Sequence, residues 1–106
     1  MKSDLLSLVQ IVKKLRSPDG CDWDKEQTHE SLTPYLLEET YEVIEAIETN
    51  NFSDLKEELG DLLLHVIFQT ELANETKKFN LNEVIDGICK KLIDRHPHIF
   101  YDKNDS

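Results

Sequence analysis

Residues 34–74 read PYLLEETYEVIEAIETNNFSDLKEELGDLLLHVIFQTELAN, and the period of this stretch decides the fold. At about 100° per residue, Leu36, Val43, Ile44 and Ile47 fall on one side of a helix. Glu38, Glu39, Glu42 and Glu45 fall on the other. Thr49-Asn50-Asn51 interrupts the pattern. A second helix then runs to about Asn74, apolar almost all round from Leu59 to Phe68. A helix of that kind is expected to be mostly buried. Thr33 and Ser53 are the expected N-caps of the two helices, and Pro34 suits a first helical position.

Outward from this pair, Leu5, Leu8, Val9, Val12 and Leu15 define an earlier helix, ended by Ser17-Pro18-Asp19-Gly20. A polar loop, Cys21 to Thr28, follows it. Val84, Ile85, Ile88 and Leu92 mark a last helix from about Leu81 to Arg95, with Pro97 beyond its end. Short connections make neighbouring helices antiparallel. The expectation is an all-α fold, a four-helix antiparallel bundle in one domain over residues 1–106. With three Gly and three Pro in 106 residues, turn signals are too few for a sandwich or barrel of short strands.

The net charge of −10 disfavours a nucleic-acid polymer or an anionic membrane as partner. Residues 32–75 hold eleven acidic side chains against Lys56 alone, so the excess is local. No apolar run is long enough to span a bilayer. Asp4 stands where a signal peptide would begin its apolar stretch. Cys21 and Cys89 lack metal or redox spacing and read as free thiols. The expected location is cytoplasmic.

The Glu-rich helix side is odd for a solvated face. Such faces mix signs, because like-charged pairs at i,i+4 destabilise by about 0.2–0.5 kcal/mol each. From Tyr35 to Glu48 there are five Glu and no Lys or Arg. In the next helix Asp61 lies inside the apolar run, with Glu58 one turn before it. Burying an unpartnered carboxylate is costly, so Asp61 is expected to meet either a distant Lys or a cation. Gly60, costing about 0.5–1 kcal/mol in mid-helix, suggests close approach of another helix or a ligand. Folding the helices about Asn51 brings Glu39/Glu42 and Glu58/Asp61 to within about 3 Å in height. With axes about 8–10 Å apart, Glu39, Glu42, Glu58 and Asp61 can converge, and their repulsion requires a cation. An all-oxygen donor set suits Mg²⁺ or Mn²⁺.

These residues resemble a known family. Glu38-Glu39-Thr40-Tyr41-Glu42 matches Glu-Glu-x-x-Glu, and Glu58-Leu59-Gly60-Asp61 matches Glu-x-x-Asp. On adjacent helices, that pair is similar to the motifs of the all-α nucleoside triphosphate pyrophosphohydrolases. Cys21-Asp22-Trp23-Asp24-Lys25-Glu26-Gln27-Thr28 and Arg95-His96-Pro97-His98-Ile99-Phe100 narrow the resemblance to the MazG family. Asp22 stands where Pro is common. Many members carry two copies of the domain; the single copy here is more like the N-terminal one.

The resemblance implies hydrolysis of a nucleoside triphosphate to monophosphate and pyrophosphate, by water attack on the α-phosphorus. Glu39, Glu42, Glu58 and Asp61 would ligate Mg²⁺. Glu38 would position or deprotonate the water, or be a solvated Glu. Lys91 and Arg95 would contact phosphate, with stabilisation of a helix C-terminus as the alternative; Lys25 is a further basic candidate. Trp23 would stack on the base or anchor its loop. His65 is expected to be an interior His with a local hydrogen bond. The apolar Leu59–Phe68 helix and the resemblance both suggest a homodimer or dimer of dimers. A narrower pyrophosphatase (dUTP, dCTP or phosphoribosyl-ATP) and a non-catalytic nucleotide-binding module are the rival readings.

Overall fold

The computed structural model describes residues 3–101. In chain order the helices are α1 (Leu5–Leu15), α2 (Asp22–Glu26), α3 (Thr33–Glu48), α4 (Phe52–Glu75), α5 (Leu81–Arg95) and α6 (Pro97–Phe100), and the described residues include no strand. The four long helices lie where the period of the sequence puts them. The fold is all-α, as expected. The short helices α2 and α6 occupy stretches read as a loop and a terminator. At five and four residues, neither is long enough to show a period.

Asp4 caps α1, its side chain accepting from the Ser7 amide at 2.9 Å while the Asp4 amide donates back to the Ser7 hydroxyl. The two expected caps further on are displaced. Leu32, not Thr33, is the N-cap of α3, without a side-chain cap bond. Thr33 is already helical, and its hydroxyl donates to the Glu30 carbonyl. Asn51, not Ser53, caps α4, accepting from the Asp54 amide at 3.1 Å.

The second shift follows from the turn before it. Asn50 takes a left-handed conformation (φ 53°). The Asn50 amide reaches the Ile47 carbonyl and the Asn51 amide reaches the Ala46 carbonyl at 3.0 Å, a Schellman closure of α3. Asn51 therefore ends one helix and begins the next, and the hairpin has almost no loop. Lys77 (φ 59°) closes α4 the same way, with Lys78 bonded back to the Ala73 carbonyl.

The apolar core lies around the C-terminal half of α4. Val12, Leu32, Ile67, Phe68 and Leu72 are buried together, with Leu8, Val9 and Leu81 packed on them. Arg16 fastens this end. It forks onto Glu75 with bonds of 2.6 and 2.9 Å, lies 5.6 Å over the Phe68 ring, and donates to the Asp24 and Gln27 carbonyls. One guanidinium thus ties α1, α2 and α4 together. Lys13 adds a 2.9 Å pair to the buried Glu71.

The N-terminal half of α4 corrects an expectation. Leu59, Leu63, Leu64 and Val66 are exposed rather than buried, and Asp61 is exposed with them. A Cβ placed on Gly60 would meet nothing within 4 Å, so no helix among the described residues approaches there. The physical reason is the small number of neighbours. The buried core gathers on the C-terminal half of α4, and α3 turns an acidic face to the seam beside the N-terminal half. The radius of gyration, 17.2 Å, exceeds the roughly 13 Å of a close-packed 100-residue domain.

Removing the Arg16 fork leaves Glu75 unpaired and the Gln27 carbonyl without a donor among the described residues, while the Asp24 carbonyl keeps only the Gln27 backbone N–H. Arg16→Ala should lower the unfolding free energy by about 2–3 kcal/mol. Arg16→Lys should recover only part, since an ammonium cannot bridge both oxygens. Urea denaturation followed by circular dichroism checks both.

Candidate metal centre

The seam between α3 and α4 is acidic. Tyr35, Glu39, Glu42 and Ala46 recur at three- or four-residue steps, so they share one face of α3. Ala46, 4% exposed, marks that face as the one against α4. The apolar side of α3 points away, leaving Leu37, Ile44 and Ile47 exposed.

Glu39, Glu58 and Asp61 each bring one carboxylate oxygen to within 4.8 Å of the others. Glu39 and Glu58 are half-buried and Asp61 is exposed. One carboxylate oxygen of Glu39 and one of Glu58 are buried and have no hydrogen-bond partner among the described residues. Glu42, the fourth expected ligand, stands outside this trio but against Glu58. Together with Glu45, Ala46, Thr49 and Asp54, these two line a hollow of about 150 Å³.

The proton affinities report the crowding. Burial, with the charges of Asp61 and Glu42, pushes the Glu39 carboxyl above its ordinary value. Glu42 is raised chiefly by the neighbouring Glu58 carboxyl, and Glu58 chiefly by the neighbouring Glu39 carboxyl, through the proton that one group would share with the other. Such sharing requires a proton between like groups, or a cation in its place. The two orphaned oxygens and the absence of any Lys or Arg partner among the described residues favour the cation. The donor set fits a hard divalent ion: oxygen only, without thiolate, and with no His in the trio. His65, one turn after Asp61, is half-buried, and burial lowers its proton affinity against the pull of Asp61. Its ring makes no hydrogen bond with a described residue, contrary to expectation.

The other predicted site residues are distributed around this trio. Glu38 is exposed and lies outside it, although its charge raises the Glu42 carboxyl. Lys25 donates to the Pro18 carbonyl at 3.2 Å and pairs with Asp22. Lys91 and Arg95 are exposed on α5, one turn apart, and neither forms an ion pair with a described residue. Cys21 and Cys89 are free and exposed.

The Trp23 stretch has a built geometry. The Gln27 side-chain amide donates to the Trp23 carbonyl at 2.8 Å, and Thr28 and Ser31 exchange reciprocal backbone-to-hydroxyl bonds. Its indole meets the Tyr35 ring edge to face, with centroids 5.7 Å apart and planes at 81°. Sequence reasoning missed Tyr35. The available signal was its spacing: four residues before Glu39, on the acidic face.

Comparison with known proteins now decides the family. Residues 27–100 match the MazG nucleotide pyrophosphohydrolase domain. The chain belongs to the MazG family. It is 57% identical over 95 residues to a nucleoside triphosphate pyrophosphohydrolase/pyrophosphatase MazG of Thermotoga maritima, covering 90% of this chain and 37% of that protein. It is 49% identical over 98 residues to a nucleoside triphosphate pyrophosphohydrolase of Escherichia coli, covering 92% of this chain and 37% of the relative. A Mycobacterium tuberculosis protein of the same name is 41% identical over 97 residues, 90% of this chain and 29% of that protein. The chain spans just over a third of the length of the first two. No helix among the described residues is long and apolar enough to cross a membrane.

The raised carboxyls set a direction for stability against pH. A folded state that holds its protons more tightly than the unfolded chain is favoured below the ordinary carboxylate range. It loses that advantage as pH rises through the folded values. In chelator, Glu58→Gln should therefore melt above the unsubstituted chain at pH 7, and the gap should close as pH falls to about 4. Millimolar Mg²⁺ should reverse the order at pH 7. Thermal melts at both pH values, with and without the ion, check this.

Proposed function

We propose that this chain hydrolyses nucleoside triphosphates to nucleoside monophosphate and pyrophosphate in a reaction that depends on Mg²⁺, with Mn²⁺ as a substitute. The observation that carries the reading is the trio Glu39, Glu58 and Asp61, with two buried oxygens that no group of the described chain satisfies. The names of the relatives at 57% and 49% identity support the substrate class. Residues 1–106 act as one catalytic domain.

Glu39, Glu58 and Asp61 hold the ion, and Glu42 completes the set from its place beside Glu58. The bound ion supplies charge neutralisation at the phosphate oxygens. Glu38, on the solvent side of the cluster, orients the attacking water and accepts its proton on a carboxylate oxygen. The oxygen of that water attacks the α-phosphorus, and pyrophosphate leaves. Lys91 and Arg95, which make no ion pair with a described residue, receive phosphate oxygens. Lys25 joins them by exchanging Asp22 for phosphate. Trp23 offers a ring face to the base.

The test is an incubation of the purified protein with Mg²⁺ and a panel of ribo- and deoxyribonucleoside triphosphates, dUTP and dCTP included. Monophosphate and pyrophosphate should appear in equal amounts, and chelator should abolish both. Asp61→Ala should lower the rate at least about 100-fold while leaving the helical circular dichroism spectrum unchanged. No turnover of any nucleotide above the chelator control would sink the hydrolase reading.

We also propose that the chain assembles as a homodimer or dimer of dimers. Leu37, Tyr41, Ile44 and Ile47 of α3, with Leu59, Leu63, Leu64 and Val66 of α4, leave more apolar surface exposed than a lone small domain ordinarily carries. Sedimentation should give at least twice the 12.4 kDa chain mass. Ile44→Glu should shift the distribution towards the monomer.

A further inference from the structure

We infer that Tyr35 is a positioning residue for the nucleobase, acting through Trp23. The inference deepens the proposed function and rests on reading Trp23 as the base platform. Both rings are close to half exposed, at 48% for Trp23 and 47% for Tyr35, so neither is an anchor in the core. Yet they hold a defined edge-to-face contact at 5.7 Å, a geometry that attracts beyond simple burial.

The contact also fixes where the indole stands. Tyr35 lies four residues before Glu39 on the same face of α3, about 6 Å along the helix axis. An indole held by Tyr35 is therefore indexed to the carboxylate trio. A nucleotide whose phosphates meet the trio has its base at the aromatic corner. The other end of the constraint is local: Gln27 holds the Trp23 carbonyl, and Arg16 holds the Asp24 and Gln27 carbonyls. The backbone of α2 is thus fixed from one side and its aromatic side chain from the other. The Tyr35 hydroxyl makes no hydrogen bond with a described residue, so the ring alone carries the effect.

The experiment uses isothermal titration in Mg²⁺ with two probes. One is the α,β-methylene analogue of a purine or pyrimidine nucleoside triphosphate, which resists cleavage at the α-phosphorus. The other is inorganic tripolyphosphate, which has no base. Tyr35→Ala should weaken the nucleotide analogue about three- to tenfold and leave tripolyphosphate unchanged. Tyr35→Phe should bind both like the unsubstituted chain. The analogue should also quench the emission of Trp23, the only Trp.

Equal weakening of both probes in Tyr35→Ala would make the residue merely structural and overturn the inference. If Trp23→Ala weakens the analogue and Tyr35→Ala does not, the platform stands and Tyr35 is dismissed. If Trp23→Ala changes nothing and the analogue quenches nothing, the platform reading itself fails and takes the inference with it.

Discussion

Like-charge repulsion in the α3–α4 seam is the constraint on which the rest of the structure depends. Two helices of a small domain ordinarily meet through apolar stripes. Here Glu39 and Glu42 from one helix face Glu58 and Asp61 from the other, and all but Asp61 are partly withdrawn from water. The carboxyls respond by holding protons more tightly, which is the cheapest relief available without a cation. The hairpin must then be held by something else. Ala46 lets the helices approach, the Schellman closure at Asn50 leaves no slack in the turn, and the far end of α4 is anchored in the core.

That arrangement divides α4 into two halves with different work. Its C-terminal half supplies Ile67, Phe68 and Leu72 to the core and accepts Lys13 and Arg16 from α1. Its N-terminal half supplies Glu58 and Asp61 and exposes its leucines. The core and the acidic cluster are thus carried on one continuous rod, so the repulsion in the seam is offset about two helical turns away. Arg16 extends the link to the Trp23 stretch by holding carbonyls of α2 and its C-terminal turn. The position of the aromatic loop relative to the carboxylates is therefore a property of the core.

Much of this was legible in the sequence, and the failures have physical causes. The long helices carry their period over eleven or more residues, enough to be read; α2 and α6 do not. The carboxylate cluster followed from hairpin height alone, since rise per residue is fixed by backbone geometry. Its finer shape did not: Glu42 stands beside Glu58 rather than in the trio, because side-chain direction within a seam depends on packing as well as register. Burial was the weakest inference. Leu59 to Phe68 reads as a buried run, but a period specifies which residues share a face and not whether a neighbour covers it. Asp61 was misjudged on that ground. Tyr35 escaped notice because its partner comes from another element, twelve residues earlier in the chain.

The two unsatisfied features of the chain are therefore of opposite kinds and lie close together. Among the described residues, the seam carries charge without a counter-charge, and the outer faces of the same helices carry apolar surface without cover. A cation that binds the folded seam and not the unfolded chain stabilises the fold by mass action. Cover over the outer faces would remove apolar area from water, the dominant favourable term in association. It would also shield the seam from solvent and strengthen the hold of the carboxylates on a cation, because electrostatic attraction grows as the local dielectric falls. Ion and cover would then reinforce each other through α3 and α4. The acidic face and the apolar face are two sides of the same helices, and neither can be satisfied without stabilising the surface on which the other is displayed.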